Sequence, residues 1–298
     1  MKMRSVSDDH RMSTLLPWSR SKTLSPIVPR VALVTGGGSG MGQLAVWRLA
    51  EQGAAVGALD INSAGLAETA ARFPGLIRPI TADVTDEAAV NDAVDEIETH
   101  LGPIDRVMNA AGVAQTVPLL DQSPAQIKRM MAINYFGTVH VSAATLPLML
   151  ERRHGQLINF ASLLGLVGGP NLGAYVASKA AVIAYTEALS SENKDSGVRI
   201  MCYCPPAVST PMFSDFVPEA NQRKTAQRLH LAITPEHALD SLEAATTGKR
   251  SLIIPTTVAR VMWWMRRQSP RLMSSLMAAS ANMQGSDRPA VSPNDRQR

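Results

Sequence analysis

The feature that most constrains the fold is a regular alternation of short apolar runs with segments of helical periodicity. Each run is apolar for most of its length, whereas a half-exposed strand alternates apolar and polar residues. Continuous runs of this kind are typical of parallel strands that helices cover on both faces. They occur at residues 31–34, 54–59, 76–80, 104–108, 156–160, 198–203 and 251–254. Seven such strands predict a doubly wound parallel sheet, in which ligands bind beyond the carboxyl ends of the strands.

Signals for helix starts lie between these runs. From Asp86 to Leu101 the apolar residues are spaced by three and four positions, which predicts an amphipathic helix. Ser123-Pro124-Ala125-Gln126 combines an N-cap serine, a proline at the first helical position and a capping-box glutamine. Thr234-Pro235-Glu236 repeats the same start signal. We therefore expect one α/β domain at residues 30–255.

The positive charge of the chain is concentrated at its two ends. The net charge is +4, yet residues 1–30 contain six Lys or Arg against two Asp, and residues 249–298 contain nine against two. The middle of the chain is left with 14 basic and 21 acidic residues, which argues against nucleic acid as a partner. Outside the domain we expect a flexible basic leader (1–29), an amphipathic helical extension (256–284) and a disordered tail (285–298).

Two cysteines, Cys202 and Cys204, lie in an apolar predicted strand. Two thiols without a nearby cluster of His or Cys make a poor metal site, so we expect buried thiols and no metal. Reduced core thiols favour a cytoplasmic location. The longest apolar runs fall short of the roughly 20 residues that a membrane-spanning helix needs, so we expect none.

A glycine-rich turn, TGGGSGMG from Thr35 to Gly42, follows the first predicted strand. It matches neither G-x-G-x-x-G nor the P-loop motif. Glycine at Gly36, Gly40 and Gly42 permits positive φ and close approach of a ligand, and the next helix presents free N–H groups to a pyrophosphate. The turn predicts a dinucleotide site, with a merely flexible turn as the alternative.

An acidic residue, Asp60, ends the second predicted strand. A carboxylate there accepts hydrogen bonds from the hydroxyls of an adenosine ribose and repels a 2′-phosphate. Ser39 and Ile61-Asn62 supply no cation that would bind such a phosphate. The sequence therefore favours NAD over NADP as cofactor, and an N-cap for the next helix is the alternative role of Asp60.

A tyrosine and a lysine, Tyr175 and Lys179, lie one helical turn apart in an otherwise small and apolar run. A phenol has an ordinary pKa of about 10. A neighbouring ammonium favours the phenolate and lowers that pKa, which indicates a proton-transfer pair. The alternative is two surface side chains that happen to share a helix face.

Residues 30–255 resemble the short-chain dehydrogenase/reductase family, whose motifs occur here in the same order. The resemblance rests on the TGxxxGxG turn, Asp83-Val84 after the third strand, the NAAG segment from Asn109 to Gly112, Ser162 and the YxxxK pair. It implies a Rossmann-type fold, an oxidoreductase that uses a nicotinamide cofactor, and a homodimer or homotetramer.

The resemblance also implies roles for individual residues. Tyr175 transfers the proton, Ser162 binds the substrate oxygen, and Lys179 also binds the ribose hydroxyls. Asn134 positions a water that relays the proton, and pairing with backbone groups at a helix irregularity is its alternative role. The residues expected to bind the cofactor are Thr35, Gly36, Gly38, Ser39, Gly40, Met41, Gly42, Asp60, Ile61, Asp83, Val84, Asn109, Ala110, Ala111, Gly112, Tyr175, Lys179, Pro205, Val208 and Thr210.

One loop departs from the family pattern. Relatives usually have Pro-Gly after the sixth strand, whereas this chain has Pro205-Pro206. Because Pro206 lacks an N–H and restricts φ, we expect a different loop shape beside the nicotinamide.

The predicted substrate pocket is apolar. This favours a hydrophobic secondary alcohol or ketone as the substrate, with an NADPH-dependent carbonyl reductase or a non-catalytic dinucleotide-binding sensor or scaffold as alternatives. Residues 211–233 should form a lid with an apolar face of Met212, Phe213, Phe216 and Val217, opposite Leu163, Leu164, Leu166 and Val167.

The extension after the last predicted strand reads as two amphipathic helices. Packing on the domain, on a partner subunit or over the active site is favoured, and peripheral contact with a membrane is the alternative. The first helix has a stripe of Val258, Val261, Met262 and Met265 beside Arg260, Arg266, Arg267 and Trp263-Trp264, and the second begins at Ser269-Pro270 and carries Leu272, Met273, Leu276 and Met277.

Overall fold

The computed structural model describes residues 28–212, 231–248 and 250–282, with side chains as far as residue 277 in the last helix. Residues 1–27 of the predicted leader, the predicted tail and the lid residues Phe213, Phe216 and Val217 lie outside the described residues. The strands are β1 (Val31–Thr35), β2 (Ala55–Asp60), β3 (Ile77–Thr81), β4 (Arg106–Asn109), β5 (Gly155–Phe160), β6 (Val198–Tyr203), β7 (Ala207–Val208), β8 (Ala232–Ile233) and β9 (Leu252–Ile253).

Seven of these strands form one parallel sheet in the order β3-β2-β1-β4-β5-β6-β9, which confirms the predicted architecture. The strand order reverses between β1 and β4, and a crevice at the carboxyl ends is expected there. The remaining two strands, β7 and β8, pair in parallel with each other. Residues 232–233, expected in the lid, are therefore a buried strand.

Helices flank both faces of the sheet. They begin where the sequence predicts: Asp86 caps one helix by accepting from two backbone N–H groups, and Ser123 and Gln126 form a capping box. A π-helical turn, Ala132–Phe136, joins the helix that ends at Met131 to the helix that begins at Gly137. The helices are α1 (Gly40–Glu51), α2 (Ser63–Ala71), α3 (Glu87–His100), α4 (Pro124–Met131), α5 (Gly137–Arg152), α6 (Leu163–Val167), α7 (Gly173–Glu192), α8 (Pro235–Thr246), α9 (Thr257–Gln268) and α10 (Pro270–Asn282).

The strand β1 shows why the apolar runs are continuous. Its Val34 packs into a core with α1 and α8 on one face of the sheet. The preceding Leu33 packs into a second core with α3 and α5 on the other face. Both side chains are fully buried, because a strand at the centre of a doubly covered sheet has no face in water.

A buried ion pair lies at the amino ends of the strands, opposite the site described below. Arg106, at the start of β4, has a side chain only 2% exposed. Its guanidinium donates to Glu243 Oε1 of α8 at 2.7 Å and to Gln156 Oε1 of β5 at 2.7 Å. The pair ties the middle of the sheet to a helix near the C-terminus.

The two cysteines are buried, free thiols at the end of β6, as predicted. Their Sγ atoms are 3.8 Å apart. The hydrogen bond between the thiols and their burial raise the pKa of Cys204, so its thiol stays protonated.

The C-terminal helices α9 and α10 pack against α6 of the domain. The predicted apolar stripe on α9 is wrong at one position, because Val261 is exposed. The small Ala259 is buried in the contact with α6 instead, beside Met273 of α10. The small Ala259 side chain lets α9 approach α6 closely. The spacing of apolar residues along α9 does not reveal which neighbouring side of the helix makes this contact.

Candidate active site

The turn after β1 is built from glycines that have no room for a side chain. Gly36 has φ +70°, and a Cβ there would lie 2.9 Å from the backbone N of Ala111. A Cβ on Gly42 would lie 2.1 Å from the carbonyl oxygen of Gly36. The first turn of α1 is therefore held directly against the glycine turn.

The amino end of α1 has donors to offer a ligand. Ser39 is the N-cap residue, but its side chain makes no capping hydrogen bond to the helix. Backbone N–H groups at a helix start attract anions, and here they border a cavity. The residues at this turn fit the pyrophosphate of a dinucleotide.

A cavity of about 300 Å³ runs from this turn along the carboxyl ends of the strands. Three predicted cofactor residues, Thr35, Gly38 and Asn109, support its wall from behind instead of lining it. Thr35 Oγ1 accepts from the Ala111 N–H, and the buried Asn109 amide donates to Asn159 in β5. The predicted residues that line it are Gly36, Ser39, Gly40, Met41, Gly42, Asp60, Ile61, Asp83, Val84, Ala110, Ala111, Gly112 and Thr210.

The carboxylate of Asp60 both lines this cavity and anchors the glycine turn. Its Oδ2 accepts from the Gly38 N–H at 2.9 Å, and its Oδ1 accepts from the Asn62 N–H at 2.9 Å. The alternative role of Asp60 as a helix cap is wrong, because the Asn62 side chain caps α2 by accepting from the Gly65 N–H.

A cation in the same cavity was not predicted. Arg129 of α4 lines the wall and makes no ion pair with any residue that the structure describes. The sequence alone does not indicate that Arg129 lies near Asp60, because α4 is far along the chain from Asp60.

The side chains of Ser162 and Tyr175 are joined by a hydrogen bond. Ser162 follows β5 and is the N-cap of α6, where its Oγ accepts from the Leu164 N–H at 3.2 Å. Tyr175 lies in the first turn of α7, with its ring partly buried. Two hydroxyl groups thus converge at the carboxyl end of β5.

The expected lowering of the Tyr175 pKa is not found in the protein alone. Burial raises the pKa of the phenol, and the hydrogen bond with Ser162 acts in the opposite direction. The Lys179 Nζ lies 5.9 Å from the centre of the Tyr175 ring. It donates to the Phe160 carbonyl at 2.8 Å, and burial lowers its own pKa to about 8. For Tyr175, desolvation outweighs the hydrogen bond with Ser162.

The amide of Asn134 is a clamp between two elements of the site. Its Oδ1 accepts from the Val113 N–H at 2.8 Å, and its Nδ2 donates to the Val113 carbonyl at 2.8 Å and to Ser178 Oγ at 2.9 Å. The Ser178 hydroxyl in turn donates to the Tyr175 carbonyl at 2.8 Å. These contacts match the alternative of backbone pairing at a helix irregularity, since Asn134 lies in the π-helical turn.

Ser178 is a positioning residue that the sequence analysis missed. A buried serine between Tyr175 and Lys179 in an apolar run is a signal that could have found it. It links the Asn134 amide to the backbone that carries the phenol, so it fixes the start of α7 against α4 and α5.

A second, larger cavity of about 470 Å³ opens beside Tyr175 and Ser162. It adjoins the first cavity, because Met41, Thr210 and Met212 line both. Of the predicted apolar wall, Leu166 and Val167 pack against other residues instead. The lining is Met41, Ala161, Ser162, Leu163, Leu164, Leu172, Tyr175, Pro205, Pro206, Ala207, Val208, Thr210, Met212, Leu231, Val258, Ala259, Met262, Met265, Met273, Leu276 and Met277.

A family model for short chain dehydrogenases matches residues 30–221, a range that contains the glycine turn, the Ser162–Tyr175 pair and Lys179. The chain belongs to the short-chain dehydrogenase/reductase family. As a member of this family it is an oxidoreductase with a nicotinamide-dinucleotide-binding fold. The match ends before α9 and α10, so these helices lie outside the family model.

The names of the relatives of this short-chain dehydrogenase state different substrates and different cofactors. A 2-dehydro-3-deoxy-L-rhamnonate dehydrogenase (NAD(+)) of Sphingomonas sp. is 35% identical over 192 residues, 64% of this chain and 76% of the relative. Estradiol 17-beta-dehydrogenase 11 of Pongo abelii is 27% identical over 245 residues, 80% of this chain and 79% of the relative. A short chain dehydrogenase of Burkholderia cenocepacia in complex with NADP has a TM-score of 0.71 at 26% identity, covering 83% and 96% of the two chains.

In this short-chain dehydrogenase the Pro205-Pro206 loop, which departs from the family pattern, is held by contacts with α6 and with β8. The Pro205 carbonyl accepts from the Leu163 N–H at 2.9 Å, and both prolines line the larger cavity. The following residues, Ala207–Val208, form β7, so the loop ends in a strand pair with β8. Pro206 thus adds apolar surface at a position where no N–H donor is used.

Proposed function

We propose that this protein is an NAD(H)-dependent oxidoreductase of hydrophobic secondary alcohols or ketones. The observation that carries the proposal is the 470 Å³ cavity, whose lining is apolar except at Ser162, Tyr175 and Thr210. Pockets of this size and composition bind drug-sized apolar molecules, with a few polar groups to orient them. The paired hydroxyls supply the polar end for one substrate oxygen.

Tyr175 is the proposed proton carrier. In alcohol oxidation the phenolate form of Tyr175 accepts the hydroxyl proton of the substrate, and in ketone reduction the phenol gives a proton to the same oxygen. Ser162 holds that oxygen by hydrogen bonding, and the Asn134–Ser178 link fixes the start of α7. A bound nicotinamide dinucleotide accepts or supplies the hydride. Because burial raises the pKa of the phenol, Tyr175 holds its proton in the cofactor-free protein.

A series of substrates tests this proposal. Purified protein with NADH and methyl ketones of increasing chain length should show kcat/KM that rises with length until the cavity is filled. Each methylene buried contributes about 0.8 kcal/mol, or up to fourfold in kcat/KM. The measurement is the change in nicotinamide absorbance. A kcat/KM that is independent of chain length would contradict the apolar pocket, and NADH binding without turnover of any ketone would support the sensor alternative.

The preference for NAD over NADP is proposed from Asp60. Its carboxylate is held on the wall of the dinucleotide cavity by two backbone N–H groups, where it would repel a 2′-phosphate. The relative from Sphingomonas sp., which is named for NAD(+), supports this assignment.

NADP(H) is the second candidate cofactor, because Arg129 lines the same cavity without an ion pair among the described residues. The relative from Burkholderia cenocepacia, solved with NADP, supports this alternative. An NADPH-dependent carbonyl reductase would use the same Tyr175 and Ser162.

Replacing Asp60 by asparagine separates the two candidates. Asp60→Asn removes the charge and keeps an oxygen for one of the two backbone N–H groups, so we expect the ratio of NADPH to NADH affinity to rise at least tenfold. The dissociation constants are measured by cofactor fluorescence. Asp83→Asn, the same change farther along the cavity, is the control and should leave the ratio within about twofold. Wild-type preference for NADPH would contradict the assignment.

The oligomeric state and the cellular location remain predictions from the sequence. A homodimer or homotetramer is proposed on the family resemblance alone, and sedimentation equilibrium measures it. The cytoplasmic location is likewise proposed from the cysteine content and not from a feature of the fold.

A further inference from the structure

The helices α9 and α10 present apolar side chains in two directions. One set, which includes Met262, Met265 and Met273, lines the larger cavity. The other set consists of large apolar side chains in solvent, and we name it the outer face. Its members are Val261 (49% exposed), Trp264 (60%), Leu272 (52%) and Leu276 (49%). Internal packing of the described residues does not explain the outer face.

The same helices carry positive charge that the described residues do not neutralise. Residues 257–282 contain four Arg and no Asp or Glu. Arg260 donates to the carbonyls of Thr256 and Pro255, and Arg266 to neutral oxygens within α10. Arg267 lies 5.3 Å from the centre of the Trp263 ring. An arginine without an acidic partner attracts anions from solution.

The outer face continues into the rim of the larger cavity. Leu276 belongs to both, and Met212 and Leu231 are further cavity-lining side chains that are exposed. An apolar substrate that approaches this rim meets apolar side chains before it reaches Tyr175. The outer face and the rim of the cavity are therefore continuous at Leu276.

We propose that α9 and α10 dock on an anionic lipid bilayer and hold the mouth of the apolar cavity against it. Arginines with exposed tryptophan and aliphatic side chains match the headgroup region of such a bilayer. A second copy of this chain is a poorer occupant, because a symmetric contact would bring the arginines of both copies together. Within the described ranges no helix has both the length and the hydropathy to span a bilayer.

The proposed function enters this inference at one point: docking would let an apolar substrate pass from the lipid phase into the cavity. Binding to the bilayer itself does not depend on the proposed function. Vesicle binding is measured without substrate or cofactor. Failure of the docking and failure of the enzymatic proposal are therefore distinguishable.

The experiment is co-sedimentation of the full chain with vesicles of phosphatidylcholine alone or mixed with phosphatidylglycerol. We expect at least tenfold stronger partition to the mixed vesicles, and a loss of most of that difference in high salt, which screens the arginines. Equal or undetectable binding to both vesicle types overturns the proposal.

Matched substitutions test which residues contact the lipid. Arg271→Gln should weaken partition about fivefold, from roughly 1 kcal/mol per basic residue near the surface. Lys194→Gln, the same loss of charge just beyond the carboxyl end of α7, should not weaken partition. Trp264→Ser should weaken partition at least tenfold. Val261→Ser should also weaken it, whereas Val28→Ser at the amino end of β1 should not.

Two outcomes contradict this assignment. Partition that is unchanged in both Arg271→Gln and Trp264→Ser would place the lipid contact elsewhere. Dissociation of an oligomer by Val261→Ser with Trp264→Ser, in protein that binds no vesicles, would show that a second copy covers the outer face. Circular dichroism of each variant verifies that the helices are retained, which is expected for exposed positions.

Discussion

Replacing Tyr175 by phenylalanine should lower the turnover number at least about 10²-fold, while the dissociation constant for NADH stays within about threefold. The phenol oxygen is the proposed acid and base, and such groups typically contribute 10²–10⁴-fold to a rate. The ring that packs at the start of α7 is retained, so only the hydrogen bond with Ser162 is lost. The free energy of unfolding should change by about 1 kcal/mol. Stopped-flow absorbance and a denaturant titration measure these effects.

The same substitution elsewhere on α7 provides the control. Tyr185 is also partly buried and hydrogen-bonded, to Ser142, but it does not line the larger cavity. Tyr185→Phe should keep turnover within about twofold of the wild type. If Tyr175→Phe were as active as Tyr185→Phe, the phenol would not be the proton carrier.

A methyl group added at Gly42 should raise the dissociation constant for NADH at least about 10²-fold. Its carbon would lie 2.1 Å from the Gly36 carbonyl oxygen, a contact between backbone atoms that no side-chain rotation relieves. The start of α1 must move away from the glycine turn, and displacements of about 1 Å can cost 10²-fold at an aligned site. Overpacking also lowers the free energy of unfolding by about 1–3 kcal/mol.

Gly169→Ala separates crowding at the turn from the general effect of replacing a glycine. A Cβ on Gly169 would lie 3.3 Å from a methyl of Leu164, a flexible side chain that can give way. NADH binding by this variant should match the wild type. Equal weakening in both variants would show that the close packing of Gly42 on Gly36 is not what forms the cofactor site.

The sheet was predictable because its signal is local. Each strand is buried on both faces, so Leu33 and Val34 are both apolar although they belong to different cores. Helix caps are local as well, and Ser123 and Gln126 lie within one turn of each other. Contacts within a few residues leave a pattern that a single sequence displays.

The site was predictable in its residues but less so in their interactions. The clamp from Asn134 to Val113 and Ser178 joins three separate elements, and nothing in the local sequence indicates that they meet. The direction in which the Tyr175 pKa shifts depends on the burial of the phenol, and the spacing of residues along a helix does not reveal that burial. Arg129 reaches the dinucleotide cavity only because α4 lies beside the strand ends.

The ion pair between Arg106 and Glu243 has a consequence for synthesis of the chain. Contacts between residues distant in sequence form late and slow folding. Arg106 leaves the ribosome long before Glu243, so its guanidinium cannot enter the sheet as a completed ion pair until α8 has emerged. A nascent chain that ends before α8 would have to bury the Arg106 guanidinium without the carboxylate of Glu243, and losing one partner of such a pair is strongly destabilising. We expect such chains to stay protease-sensitive and to become resistant only once α8 has been made.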